Sequence, residues 1–129
     1  SIVIGSDGNY WFGQFRSVPR DAPRIPNGVW RVSPALTNPT TFPTLPSVAM
    51  RRGRPKGGWS ISLVSGPKNS VWGTVTHSWM GHYIVRITPD GRPHLLLHRP
   101  WRQGGIALLG FTGNTMWFQL DKKLARATL

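Results

Sequence analysis

The amino-acid sequence predicts an all-β domain, a small antiparallel sheet core with long proline-rich loops. Three observations predict it. From Trp59 onward, short runs alternate apolar and polar residues with the period of a strand that has one wet face. Turn-forming Gly, Pro, Asn and Asp separate those runs. Helix-type patterning is confined to the last few residues.

Seven of the twelve prolines lie between Pro19 and Pro46. Proline lacks a ladder donor and fixes φ, so this stretch is expected to be irregular loop rather than central strand. Ile25, Val29, Trp30, Val32, Leu36, Phe42 and Leu45 would pin it to a core. Trp59, Ile61 and Leu63 then alternate with Ser60 and Ser62, predicting apolar residues inward and both serines on the opposite, binding face. Val71 to Thr76 reads as the next strand. Tyr83, Val85 and Ile87 alternate with His82, Ile84 and Arg86. Thr88-Pro89-Asp90-Gly91 turns the chain into a returning strand at Leu95–Leu97. Gly113-Asn114 separates Ile106–Phe111 from Thr115–Leu120 as a hairpin. Asp121 to Leu129 is expected to be helical with Asp121 as N-cap. The expected organisation is one domain over residues 1–120, followed by an extension or linker over 121–129.

Cysteine is absent, which excludes disulfides and thiolate metal sites and suits a reducing compartment. No apolar run approaches the ~18 residues of a membrane helix, and no signal-peptide pattern opens the chain, so no membrane insertion is expected. Charge is the strongest signal. Sixteen Lys and Arg face four Asp and no Glu, a formal net charge of +12. Arginine dominates, and its planar fork pairs with phosphate and stacks on bases. Such an excess repels itself within a folded chain, so a polyanionic partner, nucleic acid, explains it better than solubility does.

The densest basic feature is Arg51-Arg52-Gly53-Arg54-Pro55-Lys56, flanked by glycines and free of acids. It reads as a phosphate-binding arm that releases condensed counterions, or as a plain solvated loop or nuclear localisation signal. Arg16, Arg20, Arg24, Arg92, Arg99 and Arg102 would line the rest of a groove. Trp59, Trp72, Trp79 and Trp117 sit in strand-like runs and are assigned to the core. Tyr10, Trp11 and Trp101 lie beside arginines near strand ends and are the candidates for base stacking, which needs an exposed ring in a basic setting.

Enzymatic readings are narrow. General acid–base catalysis needs paired carboxylates or a histidine oriented by one, and the chain offers only Asp7, Asp21, Asp90 and Asp121. His94 and His98 would share a strand face about 13 Å apart, too far to hold one metal. No enzyme, metal or cofactor is expected. The surviving alternative is a small toxin-like ribonuclease using His, Arg and Lys. A ribosome-associated basic module is a third class.

Taken in order, the motifs resemble the N-terminal RNA-binding domain of nidovirus nucleocapsid proteins, the coronavirus type above all. Trp11-Phe12 precedes the prolines. The basic run 51–56 precedes a Trp-led strand that ends in Gly66-Pro67. Gly73, Gly81 with Tyr83-Ile84-Val85, and Gly91 follow, and Gly110-Phe111-Thr112 to Trp117-Phe118 closes the pattern. The likeness spans about residues 10 to 120. It departs where Ser60 and Ser62 stand in place of the family's tyrosines, and around Val48-Ala49-Met50, where the Gly-Tyr-Trp segment has no counterpart. The resemblance implies a protruding basic β-hairpin and packaging of a viral, single-stranded RNA genome into a ribonucleoprotein. It also implies location in the virion and host cytoplasm, and self-association through regions outside this chain.

Overall fold

A computed structural model describes residues 1–13, 27–43, 59–78 and 80–129. Their regular structure is almost entirely strand: β1 (Ile2–Ile4), β2 (Tyr10–Gly13), β3 (Asn27–Val32), β4 (Thr40–Pro43), β5 (Trp59–Gly66), β6 (Ser70–His77), β7 (Gly81–Ile87), β8 (Pro93–Arg99), β9 (Ile106–Thr112), β10 (Thr115–Leu120) and β11 (Lys123–Thr128). They form three antiparallel sheets, ordered β1-β2-β3-β4, β5-β6-β7-β8 and β11-β10-β9. The all-β expectation is met.

The middle sheet buries both faces, because its strands carry apolar residues on both sides. On one face Ile61, Leu63, Val71, Val75, Tyr83, Val85 and Ile87 pack against Trp11, Val29 and Phe42 of the first sheet. On the other, Trp72 and Ile84 pack against Ile106, Leu108, Met116 and Phe118 of the third. Each such aliphatic side chain contributes about 1.5–3 kcal/mol on burial. Ile61 and Leu63 point inward and Ser62 is exposed on the opposite side, as alternation requires. Trp72 is the core residue expected of it; Trp79 and the side chain of Trp59 lie outside the described residues.

The turn at Thr88–Gly91 closes with the Gly91 N–H donating to the Thr88 carbonyl at 2.8 Å. Gly91 sits at φ +83°, and a Cβ there would collide with the ring of buried Phe42. Only glycine meets both demands.

Three expectations are corrected. The proline-rich stretch contains two strands, and β3 is interior to its sheet, paired with both β2 and β4. The segment Asn27–Val32 is itself free of proline, so every ladder donor survives there. Residues 121–129 are not helical: β11 pairs with β10 from Lys123 to Thr128. Asp121 sits in the connecting turn at φ +53° rather than capping a helix. His94 and His98 do not share a face. A register shift leaves Leu96 unmatched, so His94 lies opposite Arg86 and His98 opposite Tyr83, which project to opposite sides.

Candidate nucleic-acid interface

Strand pairing sets Ser60 beside Thr76, Thr76 beside His82 and His82 beside Arg99. Cross-strand partners share a face, so these four form one polar row across the middle sheet, on the side toward β9. The Thr76 hydroxyl and His82 Nδ1 are 3.1 Å apart, in hydrogen-bond contact. Burial, with the Arg99 charge adding to it, holds the His82 pKa below the ordinary imidazole value. Both effects favour the neutral ring.

Beyond Arg99 the chain makes a 3-10 turn, Trp101–Gln103. Trp101 is 48% exposed and sets its ring edge-on to His82, with centroids 4.5 Å apart and planes at 68°. Arg102 beside it is exposed. The turn is braced from within. Arg99 Nη1 donates to the Gly105 carbonyl at 3.3 Å and Nη2 to the Gln103 carbonyl, while Asp121 pairs with Nη2 at 3.8 Å. The same aspartate accepts from the Gly105 N–H at 2.9 Å. Gly81 permits this approach, since a Cβ there would strike the Arg99 carbonyl and Pro100.

Next to the row, Ser60, Ser62, Thr74, Thr76 and His82 line a cleft of about 300 Å³ whose other wall is Ile106–Leu108 of β9. β9 is an edge strand, and its unpaired backbone needs polar partners where it lies against the middle sheet. Thr74 Oγ1 meets that need by accepting the Leu108 N–H at 2.7 Å. The serines expected on an open binding face thus flank a contact between two sheets.

The other expected residues divide. Trp11 is 1% exposed, stacked on Phe42 with centroids 5.3 Å apart, and its indole N–H donates to Asp7. It offers no face to a base; its assignment as a stacking ring is corrected to core. Tyr10 and Phe12 project the opposite way, to the outer face of the first sheet. There Phe12 stacks parallel to Trp30 (6.2 Å, 2°) beside a cavity of about 420 Å³. Arg99 is a brace rather than a groove cation. Arg92 is exposed and pairs with Asp90 at 3.1 Å, which offsets its charge. Arg16, Arg20, Arg24, Arg51, Arg52, Arg54 and Lys56 lie outside the described residues. The described chain resumes at Trp59, the residue before Ser60 of the polar row.

The expectation that Trp117 belongs to the core is corrected. The residue instead lies half-buried on the solvent face of the third sheet, with the Arg126 guanidinium over its ring at 5.8 Å. The signal for this was available in Met116, Trp117 and Phe118: three consecutive large apolar residues in a strand cannot all face one core. His77 is fully buried, and burial lowers its pKa.

Among the described residues no group of three or more His, Cys, Asp or Glu is placed to hold a metal ion. No helix among them is long and apolar enough to cross a membrane. No protein-family model, curated protein or solved structure matches the chain.

Proposed function

We propose that this domain binds single-stranded RNA, packaging it as the resemblance to nucleocapsid N-terminal domains implies. One observation carries the reading. Each described aspartate is engaged by an arginine: Asp7 by Arg31, Asp90 by Arg92 and Asp121 by Arg99. Lys68, Arg102, Lys122, Lys123 and Arg126 remain exposed, with no carboxylate at ion-pair distance among the described residues. A fold that neutralises its few acids internally and leaves its cations outward is suited to a polyanion. The half-exposed Trp101 beside Arg102 supplies what a duplex cannot use and a single strand can, an aromatic face for an unpaired base.

Fluorescence anisotropy with a labelled fifteen-nucleotide oligouridylate tests this. Wild type binds, and Trp101→Ala weakens binding roughly 5- to 150-fold, the loss of about 1–3 kcal/mol expected for one stacked base. The RNA is recovered intact after incubation. Failure to bind at low salt, or equal affinity for a duplex of the same length, rejects the reading. Cleavage of the RNA favours the ribonuclease alternative.

A further inference from the structure

The third sheet is an outer layer, and its far face is covered by nothing among the described residues. Cross-strand pairing there aligns Gly110, Trp117 and Arg126 in one row over β9, β10 and β11. The Trp117 indole N–H donates to Thr112 Oγ1 at 3.1 Å, which fixes the ring in its plane. Arg126 stands over that ring at 5.8 Å, a cation–π contact that holds the guanidinium against the sheet. On the other flank Gly110 has no side chain, and a Cβ built there would meet nothing within 4 Å. Leu109 and Leu124 border the row at 52% and 65% exposure. Lys122 and Lys123 lie at the turn that begins β11. Asp121, the acid nearest in sequence, is directed away to Gly105 and Arg99.

We propose that this face is a second contact surface for single-stranded nucleic acid, in which unpaired bases stack on Trp117 and Arg126. It is separate from the Trp101 turn. The inference rests on the RNA-binding reading, to which it adds a site and a mode of contact. Charge selects the occupant. The row carries Arg126 with no carboxylate at ion-pair distance among the described residues, and the whole chain has a formal net charge of +12, so a second copy of this chain would be repelled, whereas a polyanion is attracted. The aromatic–guanidinium pair then favours bases, because both groups present flat faces to stack upon.

The test uses the same labelled oligouridylate, with folding followed by thermal melts. Arg126→Gln removes the charge of an exposed side chain while keeping it polar, and leaves the melting temperature unchanged. It weakens binding about 3- to 10-fold and makes the slope of log affinity against log salt shallower by about 0.7. Trp117→Ala weakens binding at least 10-fold, and Trp117→Phe retains most of it. If Trp117→Ala unfolds the domain, Arg126→Gln and Trp117→Phe decide. Wild-type affinity in both Arg126→Gln and Trp117→Ala, with wild type itself binding RNA, overturns this inference and leaves the RNA reading standing. No binding by wild type defeats both. Unchanged RNA affinity in Arg126→Gln, together with weakened binding to phosphatidylserine vesicles, overturns the inference in favour of a membrane surface.

Discussion

Thr74→Val asks whether the hydroxyl-bearing face of the middle sheet exists to receive β9. The change conserves volume and, judged by strand preference alone, would be neutral or favourable. The structure predicts the reverse. Thr74 is 7% exposed and its hydroxyl is the acceptor for the Leu108 amide at 2.7 Å. A buried N–H left without a partner costs about 1–3 kcal/mol, and the added methyl returns at most about 0.8 kcal/mol. The net loss is about 1.2 kcal/mol at mid-range, within about 0.2–2.2 kcal/mol. Unfolding entropy near 2.1 cal/mol/K per residue gives roughly 0.27 kcal/mol/K for a chain of 129 residues. The melting temperature should therefore fall by roughly 4 °C at mid-range, within roughly 1–8 °C. Thr74→Ser, which keeps the acceptor and gives up a methyl, should cost less, about 0.8 kcal/mol. Urea denaturation gives the energies, and amide hydrogen exchange locates the effect: Leu108 loses protection in the valine variant and keeps it in the serine variant. A valine variant as stable as wild type, with Leu108 still protected, would refute the account of how the second and third sheets are joined.

Other perturbations follow from the same geometry. Gly91→Ala combines a positive φ with a collision against Phe42, so a loss of about 2–4 kcal/mol is expected in denaturant titrations; a neutral outcome would contradict the turn. Arg99→Ala should weaken RNA binding by releasing the Trp101 turn while leaving the salt slope as it was. Arg102→Ala should make that slope shallower by about 0.7, and equal slopes for the two variants would erase the distinction between brace and contact. Burial lowers the pKa of His77, and burial plus Arg99 lowers that of His82. The unfolded chain therefore binds more protons than the folded one below its own histidine value of about 6.5, and stability should fall as pH drops through that point. For Asp7, burial acts upward, but hydrogen bonds from Asn9 and Trp11, with the Arg31 charge, outweigh it and leave the carboxyl below its ordinary value. Its contribution is present above that ordinary value and disappears as pH falls through the folded one. A urea midpoint independent of pH between 7.5 and 5 would contradict the histidine account, and His82→Gln should flatten the dependence.

Much of the second half of the fold was legible, because β5 to β10 combine period-two alternation with strong turns, and those signals survive tertiary context. β11 was hidden by composition. Lys, Leu, Ala and Arg are all good helix formers, and only pairing with β10 makes a strand of them. β3 and β4 were obscured by the prolines around them, although Asn27–Val32 contains none. The site was less legible than the fold. Alternation places Tyr10 and Phe12 opposite Trp11, and Trp117 opposite Met116 and Phe118, but it does not say which side is the core. Hence Trp11, expected to stack on bases, faces the core, and Trp117, expected in the core, faces outward. Ser60 and Ser62 mark the polar part of a face that elsewhere buries Trp72 and Ile84 against the third sheet, and its neighbour, the edge of β9, is a long-range contact that no local pattern reports. His94 and His98 were misplaced by a single bulge, which inverts every side chain beyond it.

The central claim is that exposed cations bind the backbone of a single-stranded RNA, and the salt dependence of affinity tests it most directly. Anisotropy titrations of the oligouridylate between 50 and 300 mM salt should give log affinity falling linearly with log salt. With about five phosphate contacts the slope should be near −3.5. A slope indistinguishable from zero, or no binding at the lowest salt, would contradict the account.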